Sequence, residues 1–452
     1  MKVINYTCFL LLIINLLAFS PFTQAQTVQT QAMGVLTNPY QLIKDNLKRN
    51  NYITPIFELK SREEEYLSSP RWKTAYLETM ILLQSYVGDY DEAYRYENVL
   101  LQSTPSYQRV REMYAKDITA SPVADYKMLD ALEAIETIAG NRQVIMINEE
   151  HRTPFHRALT LQLLPKLYSK GFRYFAAETV DIEDVGLNKR GYPTQGTGYY
   201  TADPVYADVI RTALKLGYKV VPYESMDSNC KSPEDNPEFC NDQRERGQAQ
   251  NLYERILKTD QQAKIFVHVG RGHNSKAAAS KEFNFMGYYF KNLTKIEPFT
   301  IDQLRFSERR ETALEQPLYR YLTKNNVLLE PSVFQSPKGE FYNQGFGYDM
   351  LIFHPRMRYE NRRAIFLGMN GLRKAEKINL KKLKIKANKS LFAGSDPVLI
   401  QAFYSRESED TVPIDQIILY PNKEIPVLML PNGNFRIVAK DKTGRMIAGY
   451  QK

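Results

Sequence analysis

Apolar and polar residues follow three different rhythms along the chain. Between residues 72 and 101 the apolar positions recur at helical spacing: Ala75, Leu77, Met80, Ile81, Leu83 and Val87, then Ala93, Tyr94, Val99 and Leu100. Gly88 and Asp89 break the run, which predicts two helices folded into a hairpin. From 121 to 355 helical periods alternate with short apolar runs. Residues 121–139 read as one amphipathic helix carrying Met128, Leu129, Leu132, Ile135 and Ile138 on a single stripe. Strands are expected at 144–147, 172–177, 218–223, 264–269 and 348–353, with 299–305 as a further candidate, and helices at 155–168, 204–216 and 241–257. Strand-then-helix repetition predicts an α/β fold, a mainly parallel sheet flanked by helices. Beyond about 380 the helical period stops. Short β-rich runs at 383–387, 398–404, 414–420, 427–430, 434–440 and 445–449 are separated by turn signals at Pro431 and Asp441, which predicts an all-β, sandwich-like domain.

The expected division is therefore 1–25, a secretory signal peptide; 26–120, a helical region; 121–375, the α/β domain; and 376–452, the β-domain. Residues 1–25 hold one lysine, an apolar run too short to span a bilayer, and a small-residue end at Thr23-Gln24-Ala25. Export to a periplasm or the cell exterior is expected, with no transmembrane segment after cleavage. Removing 1–25 lowers the net charge from +9 to +8. The densest basic stretch, 374–386, reads as a solvated linker and strand face, and no nucleic-acid module is present. Cys230 and Cys240 remain after cleavage, and an even pair at short spacing in an oxidising compartment is expected to form a disulfide.

Five histidines are present. His151, His273 and His354 fall just past strand ends, with Glu149, Glu178 and Glu224 at equivalent edges. Ligands of open α/β sheets sit beyond the carboxyl ends of the strands. A histidine can take a proton from water near neutral pH, and a neighbouring carboxylate can orient it. His151, Glu178 and His273 could instead hold a divalent metal that activates water. Either arrangement gives a hydrolase with water as nucleophile. Arg244 could hold an oxyanion or a carboxylate, or form a helix-surface ion pair. His268 lies within a strand on the face of Phe266 and reads as buried and hydrogen-bonded. His156 opens a helix and either caps the site or faces solvent, the second being the reading preferred. Tyr199 and Tyr200 could line a pocket. A Gly-x-Ser-x-Gly elbow, a P-loop and a dinucleotide fingerprint are all absent.

Two resemblances add to this reading. Trp72 with GDYDEA at 88–93 resembles one tetratricopeptide-like hairpin, which alone cannot bury its own face and so should pack on the next domain. NEEH at 148–151, Glu178 and GRGH at 270–273 resemble the superfamily of the TIKI proteases, the ChaN haem-uptake proteins and the erythromycin esterases. The helix around Arg244, FTIDQ at 299–303 and YDMLIFHP at 348–355 fit the same pattern. The resemblance covers about 121–355. It implies catalytic roles for Glu149, His151, Glu178, His273 and, on the helix, Arg244, acting on an ester or amide bond of a small-molecule or peptide substrate. It also implies an alternative, a haem- or iron-binding uptake protein of the ChaN type, and the helical hairpin and β-domain leave a third, a non-catalytic surface scaffold. Asn148 stands where that family carries glycine; asparagine tolerates a left-handed backbone, so the turn is expected to survive. The partner of the β-domain is not indicated.

Overall fold

The helical periods at the amino-terminal end become a stack of short helices: α1 (Pro39–Leu47), α2 (Ile53–Lys60), α3 (Glu63–Ser68), α4 (Lys73–Tyr86), α5 (Tyr90–Gln102) and α6 (Tyr107–Met113). The computed structural model describes residues 35–225, 236–389 and 391–452. The expected signal peptide and Cys230, hence the Cys230–Cys240 pairing, lie outside the described residues. The hairpin is α4 and α5, and Asp89 caps α5 by accepting from Glu92 N. Its buried face does not stand alone. Leu77, Met80 and Leu83 share a core with Leu399 and Ile418 of the strand-rich carboxyl-terminal region.

The central element is an eight-stranded sheet: β1 (Lys127–Asp130), β2 (Val144–Glu149), β3 (Tyr174–Ala177), β4 (Lys219–Pro222), β5 (Ile265–Gly270), β6 (Phe299–Phe306), β7 (Ser332–Gln335) and β8 (Met350–Phe353). The spatial order is β1-β7-β8-β6-β2-β5-β3-β4. All pairings from β8 to β4 are parallel; β7 joins β8 and β1 antiparallel. Helices α7 (Ala131–Ala139), α8 (Pro154–Ser169), α9 (Leu187–Arg190), α10 (Pro204–Leu216), α11 (Pro237–Leu252), α12 (Met286–Thr294) and α13 (Pro317–Lys324) complete this part. Alternation in β2 sends Ile145 and Ile147 into one core and Val144 and Met146 into the opposite one. Both faces are thus covered, which is why the strand reads as a continuous apolar run. The late strand β5 inserts between β2 and β3 and brings the segment after residue 270 between the ends of the two earlier strands.

The expected helix over 121–139 is instead β1 followed by α7. Asp130 caps α7 by accepting from Glu133 N at 2.9 Å. Met128 and Leu129 fit a helical stripe as well as a strand, and pairing with β7 decides for the strand.

After the hairpin β9 (Tyr359–Glu360) and β10 (Arg363–Ala364) come β11 (Lys374–Glu376), β12 (Ala387–Asn388), β13 (Leu391–Phe392), β14 (Val398–Tyr404), β15 (Asp415–Leu419), β16 (Leu428–Leu430), β17 (Phe435–Lys440) and β18 (Met446–Gln451). A four-stranded antiparallel sheet, β15-β14-β17-β18, is faced by the small pairs β11-β16 and β12-β13. Of the strand expected at 383–387, Leu383 and Lys384 form a turn and only Ala387 is strand. Leu383 and Ile385 plug singly into the core there. Buried ion pairs tie this region to the α/β part: Arg211 to Glu407 and Arg373 to Asp208. No described helix is long and apolar enough to cross a membrane.

Candidate active site

Glu149, the last residue of β2, is fully buried. An ionised carboxylate survives there only with compensation, and Arg157 of α8 supplies it. Arg157, also fully buried, donates Nε to Glu149 Oε2 at 2.6 Å and Nη2 to Oε1 at 2.8 Å. Its Nη1 reaches Asp203 Oδ2 at 2.5 Å and its Nη2 the carbonyl of His151 at 2.6 Å. Burial would raise the Glu149 pKa; Arg157 and His268 outweigh that and hold it well below the usual carboxylate range. The second Glu149 task is to accept from His151 Nδ1 at 2.8 Å. A carboxylate can only accept, so Nδ1 carries a proton, and in the neutral ring Nε2 holds the lone pair.

The His151 ring is packed by two neighbours. Tyr200 stacks on it with centroids 4.1 Å apart and planes 17° from parallel. At its Nε2–Cε1 edge is Gly270, where a Cβ would lie 2.5 Å from His151 Nε2 and 3.0 Å from Glu178 Oε2. Only glycine permits this approach.

The second half of the rim is built around Glu178, just past β3. It accepts from Gly270 N and, at 2.7 Å, from Arg244 Nη2 on α11. Burial opposes its charge, but His273, Arg244 and His151 together pull its pKa down to about 2. Arg244 also spans Glu224, with Nε at 2.9 Å and Nη2 at 2.5 Å. His273 Nδ1 donates to Glu245 Oε1 at 2.5 Å, while Glu245 Oε2 accepts from Met286 N at 2.7 Å. His273 Nε2 lies 3.5 Å from Glu178 Oε1 and 3.3 Å from Arg244 Nη1. Burial would lower the His273 pKa, yet Glu245 and Glu178 prevail and raise it. The turn that delivers His273 contains Arg271 at φ 39°, a left-handed position costly for arginine. Arg271 N donates to the Glu149 carbonyl at 2.7 Å, which locks β2 to this turn.

Asn148 does not occupy a left-handed turn. It is an extended residue of β2, paired with Val269 and fully buried. Its amide donates to Arg271 O at 2.6 Å and Asp302 Oδ1 at 2.7 Å, and its oxygen accepts from Gln303 N at 2.9 Å. Asparagine here is a clamp across β2, β6 and the His273 turn.

The flanking regions reach the rim. Arg152, next to His151, pairs with Glu150 at 3.1 Å and with Glu78 of α4 at 3.6 Å, and Tyr40 OH donates to Glu78. The segment carrying Tyr200 is tied down on both sides. Gln195 Nε2 donates to Asn50 Oδ1 at 2.6 Å and Tyr52 OH at 2.7 Å, and its backbone N to Asp410 O at 2.9 Å.

Glu149, His151, Glu178, Arg244 and His273 thus come together, and Glu224 joins them as the second arginine partner. His354 does not. It sits behind β6, 2 % exposed, with Nε2 3.1 Å from Gln303 Oε1, and burial drops its pKa to about 3. His156, expected at solvent, is also 2 % exposed: Glu150 N donates to its Nδ1 at 3.1 Å, and its ring lies 5.1 Å from that of His354. His268 is buried as expected, with Nδ1 3.2 Å from Tyr206 OH and Nε2 3.6 Å from Glu149 Oε2; burial lowers its pKa to about 4. Among the described residues no three His, Cys, Asp or Glu side chains are grouped so as to hold a metal ion. The metal reading of His151, Glu178 and His273 does not fit, because arginine and backbone N–H groups already take the Glu178 oxygens. Sequence reasoning missed Arg157, Asp203 and Glu245. Glu245 had a signal in its place beside Arg244, whereas Arg157 had none beyond lying on the helix after the NEEH turn.

No protein-family model and no curated protein matches the chain. Among solved structures, it is similar to the type III effector HopBA1, at 13% identity over 52% of this chain and 99% of that one, with a TM-score of 0.32. A structure described as bacterial protein toxins aligns at 12% identity over 58% of this chain and 56% of that one, with a TM-score of 0.31. The C-terminal region of Pasteurella multocida toxin, described as having a thiol-protease like catalytic triad, aligns at 11% identity over 89% of this chain and 58% of that one, with a TM-score of 0.24. Overlaps this loose carry no argument about this chain.

Proposed function

We propose that the protein is an exported hydrolase, periplasmic or extracellular, of the TIKI/ChaN/erythromycin esterase-like kind, cleaving an ester or amide bond with water. The observation that carries this reading is the pair of imidazoles, each with Nδ1 fixed by a buried glutamate, on either side of Glu178 and Gly270. His151 Nε2 takes a proton from water as its oxygen attacks the substrate carbonyl carbon. Arg244, at the rim with its side chain 27% exposed, offers positive charge to the developing oxyanion. As the C–O or C–N bond breaks, the leaving oxygen or nitrogen takes a proton from the His273 imidazolium. Glu245 and Glu178 favour that protonated form. His151 then returns its proton to solvent and His273 regains one, so the cycle closes. Glu149 and Arg157 hold the base in orientation throughout.

The test is turnover of a panel of p-nitrophenyl esters and fluorogenic peptides by the wild type, His151→Ala and His273→Gln. A loss of at least about a hundredfold on a cleaved substrate, with the circular dichroism unchanged, is expected. Equal rates in wild type and His151→Ala would overturn the assignment.

A further inference from the structure

The basic stretch near residue 380 is not a loose linker. Ile378, Leu380, Leu383 and Ile385 are inserted into the core of the β-region. Backbone bonds from Leu383 N to Asn379 O, Lys384 N to Lys381 O and Ile385 N to Leu380 O fix the turn between them. The lysines interleaved with these anchors are consequently held outward. Lys377, Lys381, Lys382, Lys384, Lys386 and Lys389 are all exposed, as is Lys374 at the start of the stretch. None forms an ion pair among the described residues. The single acid of the stretch, Glu376, is paired with Lys452. Seven lysines against one glutamate put +6 of the chain's +9 on residues 374–389. Some exposed cations elsewhere do face a carboxylate, as Lys258 faces Glu254 and Lys442 faces Asp396; what sets 374–389 apart is the density of its lysines. Like charges held this densely repel one another and create a positive potential that attracts a polyanionic surface. The β12-β13 hairpin adds an apolar contact. Leu391 is 41% exposed beside Lys389, and the aromatic ring at the patch, Tyr450, lies beneath Lys382 Nζ at 5.5 Å and is itself only half-exposed. Fixed ammonium groups around an exposed aliphatic side chain match a headgroup layer over hydrocarbon better than a stacked sugar or a base.

We propose that this face docks the protein on an anionic lipid bilayer, with the lysines over the headgroup phosphates and Leu391 at the hydrocarbon boundary. The docking is independent of the hydrolytic reading, since the patch lies outside the His151–His273 rim. The test is co-sedimentation of the full chain with vesicles of phosphatidylcholine alone or with three-tenths phosphatidylglycerol. Binding is expected only to the anionic vesicles and is lost at 0.5 M NaCl. The variant K381E/K382E/K384E/K386E should bind at least tenfold more weakly with an unchanged Tm. A matched variant at exposed, scattered positions, K44E/K189E/K215E/K338E, has the same net charge and should retain most of the binding. Leu391→Ser should weaken binding several-fold. Three outcomes overturn the proposal: equal binding to neutral vesicles, equal loss in the scattered variant, or retention by heparin with none by vesicles, which would make a soluble polyanion the partner.

Discussion

His151 and His273 differ from His156 and His354 in what holds their second ring nitrogen, though the sequence places three of the four near strand ends. His151 and His273 each give Nδ1 to a buried glutamate and keep Nε2 toward the rim, with their side chains 17% and 18% exposed. His156 and His354 are sealed behind β6 against Gln303, Ser307 and Phe155, and burial holds both as neutral rings. A strand end delivers a histidine to the edge of the sheet. A carboxylate partner and an open side decide whether it can move protons there.

That contrast can be broken most decisively by activity. His151→Ala should cost at least about a hundredfold in turnover with little change in Tm, whereas His354→Gln should lower Tm and leave the rate per folded molecule intact. The buried brace comes next. Arg157→Met leaves Glu149 as an unpaired buried charge and should cost about 3–5 kcal/mol in urea unfolding. A comparable loss at Arg244, whose side chain is 27% exposed, is not expected.

Asn148→Gly should cost about 1–3 kcal/mol, because Asp302 and Gln303 N lose a buried partner. A neutral or stabilising result would mean the clamp is dispensable. Acid provides a further test. The folded pKa of His354 is about 3, below its unfolded value, so the unfolded chain binds the extra proton as pH falls through 6.5. Between pH 6.5 and 5.5 the wild type should lose about 1 kcal/mol that His354→Gln does not. His273 behaves oppositely: its raised pKa stabilises the fold below the unfolded value and that contribution fades as pH rises. Glu245→Gln should shift the His273 titration, followed by NMR, to lower pH. Smallest of all, Tyr200→Phe should keep the stack on His151, while Tyr200→Ala should release about 0.5–1.5 kcal/mol of ring contact and slow turnover.

Much of the α/β framework was legible because each element repeats one period over enough residues. Helix α10 runs over 204–216 as its apolar spacing and its Pro204 and Gly217 boundaries indicate, and β14 spans 398–404 as expected. The Glu149, His151, Glu178 and His273 set was legible for a related reason: polar residues ending apolar runs of a parallel sheet must gather at one edge. Residues 127–130 were misread because two apolar residues satisfy both periods, and only a partner strand from 200 residues later distinguishes them. His156 was misread because its helix looks polar at its start, while β6 and His354 cover it in space.

The sequence by itself determined the layered sheet, the strand-end acids and histidines, and a dense basic stretch. These follow from local periodicity and from the chirality and parallel order of βαβ units. Only the tertiary structure decided that Arg157 neutralises Glu149, that Glu245 holds His273, that Asn148 is a clamp, and that the flanking regions press Tyr200 onto His151. Each of these pairs residues with no fixed spacing in the chain. The energy that selects them, a buried charge seeking its partner, exists only once the surrounding surfaces have excluded water.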